Sequence, residues 1–185
     1  FVLISDNSST DDTNKICTDF VNNNQKFKYI CHDSNIGVSA NFTFILDQID
    51  SEYFMFLGHD DWLSDNFLEL CVNYMENNKD TSITSGVPLY YDKNKFFGTG
   101  VVHNHLQESA NFRLMDYYYR VRDNGIFYGL IRVKMINKEV FNFKKVGFDH
   151  HWLALIISRG TVKTLENCNV YRNIGLGSHE HGSNI

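Results

Sequence analysis

The chain reads as an α/β protein with a mostly parallel, twisted sheet flanked by helices. Three observations predict it. Short apolar runs of strand character alternate with longer segments whose apolar residues recur at helical spacing. Ser, Thr and Asp mark several helix starts, and Asn runs or Gly mark their ends. Hydrophobic residues make up 43% and aromatic residues 15% of the 185 residues, enough for a packed interior.

The elements follow in order. Residues 1–5 predict a strand. Residues 10–24 predict a helix with Ile16, Phe20 and Val21 on one face. A second strand covers 27–31. Residues 39–49 place Phe42, Ile45, Leu46 and Ile49 at helical spacing, with Ser39 as N-cap. A third apolar strand covers 53–57. Ser64 then caps a helix running to 78, with Phe67, Leu68, Cys71, Tyr74 and Met75 inward, and a fourth strand covers 81–91. Strand–helix alternation of this kind implies parallel pairing with helices on both faces. The second half is less regular. A polar loop (92–100), an aromatic helix (111–122), an extended segment (127–135), a helix (148–159) ended by Gly160, a second extended segment (162–171) and a Gly/Ser/His tail (175–185) are expected. The length suits a single domain over 1–185, with a ligand-binding half (1–91) and a second half (92–185). The opening run Phe1-Val2-Leu3-Ile4 sits inside a strand pattern, which predicts that an N-terminal piece precedes it.

Composition excludes some functions. The net charge of -5 gives no positive field to hold a nucleic-acid backbone. The basic pairs Arg120/Arg122, Arg132/Lys134 and Lys144/Lys145 read as solvated residues. Of the four cysteines, Cys17, Cys31 and Cys71 lie in apolar patterns and read as small core residues. No C-x-x-C pair suggests zinc, and reduced thiols suit a cytoplasmic place. No apolar run is as long as a membrane span.

In parallel α/β sheets, ligands bind beyond the carboxyl ends of the strands. Ser5-Asp6-Asn7 ends the first strand and Gly58-His59-Asp60-Asp61 ends the third, so both are expected on one rim. Taken alone, Asp6 reads first as a turn or cap residue. Adjacent carboxylates at Asp60 and Asp61 repel unless a cation or hydrogen bonds stabilise them. Hard oxygen ligands suit Mg²⁺ or Mn²⁺ carrying a diphosphate.

Three segments now stand in order: Ile4-Ser5-Asp6-Asn7-Ser8-Ser9-Thr10-Asp11, Asn35-Ile36-Gly37-Val38-Ser39-Ala40-Asn41, and Phe56-Leu57-Gly58-His59-Asp60-Asp61-Trp62-Leu63. Together they resemble the successive signatures of family 2 glycosyltransferases, which have the GT-A fold. The resemblance implies transfer of a sugar from a nucleoside diphosphate donor, a UDP- or dTDP-sugar, to an acceptor hydroxyl on a glycan or lipid-linked acceptor, usually with inversion. It implies that Asp6 and Asn7 meet the base, and that Asn35, Gly37 and Asn41 flank base and ribose. Asp60 and Asp61 fall on the D-x-D-type motif that binds ribose, metal and diphosphate. Many members carry an acid where Gly58 stands. Phe127-Tyr128-Gly129-Leu130-Ile131-Arg132 resembles the strand lining the acceptor side. Gly147-Phe148-Asp149-His150-His151-Trp152-Leu153 resembles the segment with the catalytic base, implying that role for Asp149; a helix N-cap is its other reading. Tyr171-Arg172 followed by Ser178 and His179 resembles the end of the catalytic domain, where a His sometimes completes the metal site, implying Asp60, Asp61 and His179 as ligands. A cytoplasmic protein, or one peripheral to the inner membrane face, is expected.

Two other classes fit parts of the pattern. A non-catalytic nucleotide-sugar-binding relative fits because Gly58 and Phe148 replace common acids. A metal-dependent phosphoesterase would draw on His59-Asp60-Asp61, His103-Asn104-His105 and Asp149-His150-His151, although none of these has the neighbouring motifs of known hydrolases.

Overall fold

The computed structural model describes residues 1–136 and 147–174. Backbone packing divides the chain into two compact units. Among the described residues, one holds 1–50 with 147–148, the other 51–136 with 149–174.

The first unit is a β-α-β-α run. Strand β1 (Val2–Asp6) pairs in parallel with β2 (Phe27–Cys31), with Asp6 opposite Cys31. Helix α1 (Thr13–Asn22) links them, and α2 (Val38–Asp47) follows. The helix N-cap is Gly37 at φ +85°, a conformation suited to glycine, rather than the expected Ser39. The expected inward face of α1 is only partly covered. Ile16 is 64% and Phe20 46% exposed, since a two-stranded ribbon offers a helix little area. Phe20 still meets Phe27 edge to face at 4.9 Å. Cys31 is exposed and Cys17 half-buried, so neither is the core residue expected.

The second unit is built on a seven-stranded sheet. Its elements in order are β3 (Tyr53–Phe54), β4 (Trp62–Leu63), helix α3 (Phe67–Asn77), β5 (Thr81–Asp92), β6 (Lys95–Thr99), β7 (Asn104–His105), helix α4 (Ala110–Arg120), β8 (Leu130–Arg132), helix α5 (Phe148–Ile157) and β9 (Thr161–Asn173). Short 3-10 turns, Gly125–Tyr128 and Val133–Met135, flank β8. The strand order is β3-β8-β5-β9-β4, with β6 added to β5 and β7 to β9.

The α/β class holds, but the expectation of a mostly parallel sheet does not. Among the described residues only β1–β2 and β5–β9 pair in parallel; β3–β8, β4–β9, β5–β6, β5–β8 and β7–β9 are antiparallel. Buried strands carry apolar runs whichever way their partners point, so direction was not readable from them. The third strand is also shorter than expected: residues 55–57 leave the ladder after Phe54.

Packing centres on β5, whose first six residues are buried, and on β9. Phe67, Cys71 and Met75 of α3 pack with Leu130, Cys168 and Val170. Helix α5 buries Trp152, Leu153, Ala154, Ile156 and Ile157. Trp152 forms an aromatic cluster with Phe56 and Phe127 at ring distances of 5.1–5.5 Å. Arg132, expected to be solvated, is 1% exposed. Its guanidinium donates to the Met75 carbonyl in the last turn of α3 (2.6 Å) and to the Thr81 carbonyl (3.1 Å), with Glu52 and the Tyr53 ring beside it. A cation here meets the negative end of the helix dipole.

Candidate functional site

In the first unit, Asp6 ends β1 and is buried. Its Oδ1 accepts from the Ser9 N–H (2.8 Å) and its Oδ2 from the Tyr29 hydroxyl (2.5 Å). Burial pushes the Asp6 carboxyl up, but the bonds from Tyr29 and Ser9 outweigh it and hold the group below its usual value. Ser8 adopts φ 67°, folding the loop so that Ser9 can reach Asp6.

The first two motifs interlock. Asn7 Nδ2 donates to Asn35 Oδ1 (2.9 Å), while Asn7 Oδ1 accepts from the Ile36 N–H (2.8 Å). Asn35 Oδ1 also accepts from the Gly37 N–H (2.9 Å). Asn41 Oδ1 accepts from Ser5 Oγ (2.5 Å) and lies 3.1 Å from His32 Nε2, and Asn41 Nδ2 donates to the Ser5 carbonyl (3.4 Å). The predicted residues of this unit thus lie at neighbouring places: Asp6 ends β1, Asn7 follows it, Asn35 and Gly37 precede α2, and Asn41 stands in the first turn of α2. His32 and Tyr29 were missed in the sequence because they sit in or beside an ordinary strand.

In the second unit, Asp60 and Asp61 lie in a turn closed by the Asp61 N–H on the Gly58 carbonyl (3.2 Å). They precede β4 rather than ending β3. Gly58 has a steric reason. A Cβ there would lie 2.8 Å from Asp61 Oδ2 and 3.1 Å from Asp60 Oδ1, so an acid would displace the pair. The Asp61 side chain is 3% exposed. Its Oδ1 accepts from the Asn173 N–H (3.1 Å), and its Oδ2 faces Arg172 Nε at 3.4 Å. Asn173 Nδ2 donates to the Asp60 carbonyl (2.8 Å). Burial pushes the Asp61 carboxyl up, Arg172 draws it down, and Asp60 pushes it up again; the net direction is up. Holding Asp61 ionised therefore costs free energy that an added cation would offset.

Arg172, named in the sequence only as part of the closing segment, is the hub of this turn. Its guanidinium lies 4.2 Å from the centroid of the Tyr128 ring and 5.7 Å from that of Tyr90. Its Nη1 donates to Asn124 Oδ1 (2.8 Å), and Asn124 Nδ2 donates to Asp149 Oδ2 (2.7 Å). Asp149 lies in the first turn of α5, after Phe148, so it is not the helix cap. One hydrogen-bonded line thus runs from Asp61 through Arg172 and Asn124 to Asp149. His179 lies outside the described residues.

His103, His105 and His150 make structural contacts. His103 and His105 are fully buried. His105 Nδ1 donates to Asp116 Oδ2 (2.7 Å), and His103 Nδ1 lies 3.0 Å from His105 Nε2. Burial, with help from His105, lowers His103 to about 4. His150 Nδ1 lies 2.9 Å from the Tyr117 hydroxyl, within hydrogen-bond distance. Among the described residues no group of three or more His, Cys, Asp or Glu is placed to hold a metal.

The second unit thus combines a mixed sheet, helices and an acidic turn ahead of β4. The family model for glycosyl transferase family 2 matches residues 1–142, and the chain belongs to that family. Solved structures agree in fold. S. aureus TarS 1-349 in complex with UDP-GlcNAc superposes with a TM-score of 0.71 at 15% identity, over 99% of this chain and 52% of that one. TarS 1-349 alone gives 0.66 at 14% identity, over 92% and 50%. Longer TarS gives 0.61 at 17% identity, over 93% and 30%. The chain thus spans about half the length of the TarS 1-349 structures it matches. No curated relative matches it.

Proposed function

We propose that this chain transfers a sugar from a nucleoside diphosphate donor, a UDP- or dTDP-sugar, to a hydroxyl of a glycan or lipid-linked acceptor, with inversion. The observation that carries the reading is the line Asp61–Arg172–Asn124–Asp149, which links an acidic, cation-seeking turn to a carboxylate suited to proton removal. A TarS structure binding UDP-GlcNAc supports the donor class.

Roles follow the residues. Asp6, Asn7, Asn35, Gly37 and Asn41 hold the base and ribose. Asp60 and Asp61 hold Mn²⁺ or Mg²⁺ with the diphosphate, and His179 adds a ligand. The donor set suits such ions, because Mg²⁺ is usually held by one or two carboxylates together with substrate phosphates. When bound, the ion supplies positive charge to the departing diphosphate. Arg172, beside Asp61, adds fixed positive charge of the same sign. Asp149 takes the proton from the acceptor hydroxyl as its oxygen forms the new bond to the anomeric carbon and the bond to the diphosphate breaks. The halves 1–91 and 92–185 then divide into donor binding and acceptor chemistry, in a protein of the cytoplasm or of the inner membrane face.

The test is sugar transfer, and donor hydrolysis, from a panel of UDP- and dTDP-sugars with Mn²⁺. Turnover should fall by about 10² to 10⁴ in Asp149→Asn, while donor affinity and melting temperature barely move. Near-normal turnover in that variant would remove Asp149 from the mechanism. Nucleotide-sugar binding without any turnover would favour a binding relative.

A further inference from the structure

Asn124 sits where the two ends of the proposed chemistry meet. Its side-chain amide has a donor face and an acceptor face, and its neighbours allow only one orientation. Arg172 carries donors alone, so the oxygen must face it, at 2.8 Å. The Asp149 carboxylate is an acceptor, so the amide nitrogen must face it, at 2.7 Å. Turning the amide over would set NH₂ against guanidinium and oxygen against carboxylate, losing both bonds at once.

The backbone beneath Asn124 is fixed as well. Its carbonyl accepts from the Phe127 N–H (2.8 Å), closing the 3-10 turn Gly125–Tyr128. The preceding Asp123 accepts from the N–H groups of Gly125 and Val101, each at 2.8 Å. On the far side, Arg172 is pinned between the Tyr128 ring and Asp61. A rigid turn therefore presents a rigid amide to one oxygen of Asp149. That bond stops the carboxylate from rotating and leaves Oδ1 to take the acceptor proton.

We infer that Asn124 is a positioning residue: it sets Asp149 in register with the Asp61–Arg172 pair, so that base and leaving group act along one line. The inference rests on Asp149 being the base. Asn124 touches no reacting atom itself, and its effect passes through Asp149. Proton transfer and displacement depend on this alignment, and a misplacement of about 1 Å can cost about 100-fold.

The experiment is a double-mutant cycle on transfer by the full chain, with Asn124→Leu, Asp149→Asn and the pair. Asn124→Leu should lower kcat by roughly 10- to 100-fold while the donor KM changes by less than about 3-fold. In the Asp149→Asn background the same substitution should add almost nothing, because the group it positions is already lost. A purely structural role would instead lower the melting temperature and multiply with the Asp149→Asn loss. Independent, multiplying losses overturn the inference and leave Asp149 as base. Near-normal activity of Asp149→Asn alone overturns both, and does so without reference to Asn124. Asn124→Ala removes the same two bonds without adding bulk or charge. It gives the same readout if Asn124→Leu does not fold, and a normal kcat in Asn124→Ala also overturns the inference.

Discussion

Single residues carry the account where one side chain satisfies two demands. Asp6 is legible in the sequence as an acid after a strand, yet its setting was not. Tyr29 lies on the neighbouring strand, and only the β1–β2 register brings its hydroxyl to the Asp6 carboxylate. The consequence is a pH dependence of fixed sign. A folded-state value below the unfolded one, about 3.9, means Asp6 adds stability above that pH, and the contribution is lost as pH falls through the lowered folded value. Tyr29→Phe removes the strongest of the lowering bonds. Melting curves from pH 6 to 2 should therefore show a shallower acid loss in Tyr29→Phe than in the wild type. Parallel curves would mean that the Tyr29–Asp6 bond does not bias the titration. Asp60, Asp61 and Asp149 were legible because adjacent acids, and an acid beside an apolar helix, stand out. The contacts of Arg172 and Asn124 were not, because one Arg at the end of a strand and one Asn in a loop carry no local pattern; they span 25 to 111 positions of sequence.

Elements were legible in proportion to their length. Strand β2 lies where the apolar run placed it, and the five helices shifted only at their ends. The two-residue strands β4 and β7 are too short for any period to show. The hairpin β5–β6 was hidden because Lys95-Phe96-Phe97-Gly98-Thr99 looks like a polar loop. Its signal was present at Lys93 and Asn94, whose positive φ angles of 46° and 67° form the tight turn that suits a hairpin. The β5–β9 pairing makes a sharper prediction. At the register shift after Gly86, a Cβ would meet the Cys168 carbonyl oxygen at 2.6 Å and the Asn169 nitrogen at 2.8 Å. Both are backbone atoms of the central parallel pair and cannot swing away. Gly86→Ala should cost about 1–3 kcal/mol in urea unfolding at unchanged m. Gly98→Ala, with nothing within 4 Å of its Cβ, should stay within about 0.5 kcal/mol. Equal midpoints for the two variants would contradict the close approach of β5 and β9.

At the scale of the whole molecule, the α/β class and family membership were legible, while the mixed pairing of the main sheet was not. The three signature segments placed the chain in its family because they keep order and spacing over 1–63, even though their chemistry is divided between the two units. On the proposed function, these segments bind a nucleoside diphosphate sugar through a cation on Asp60 and Asp61. Gly58 leaves room for that pair, and the raised Asp61 carboxyl favours a positive partner. Isothermal titration calorimetry of UDP and dTDP tests it most directly, with Mn²⁺, with chelator, and with Asp61→Ala. Binding should be strong with Mn²⁺ and at least about tenfold weaker with chelator, about 1.4 kcal/mol. Asp61→Ala should bind at the weak level whether or not the metal is present. Equal affinity with and without metal in the wild-type chain would contradict the assignment of Asp60 and Asp61.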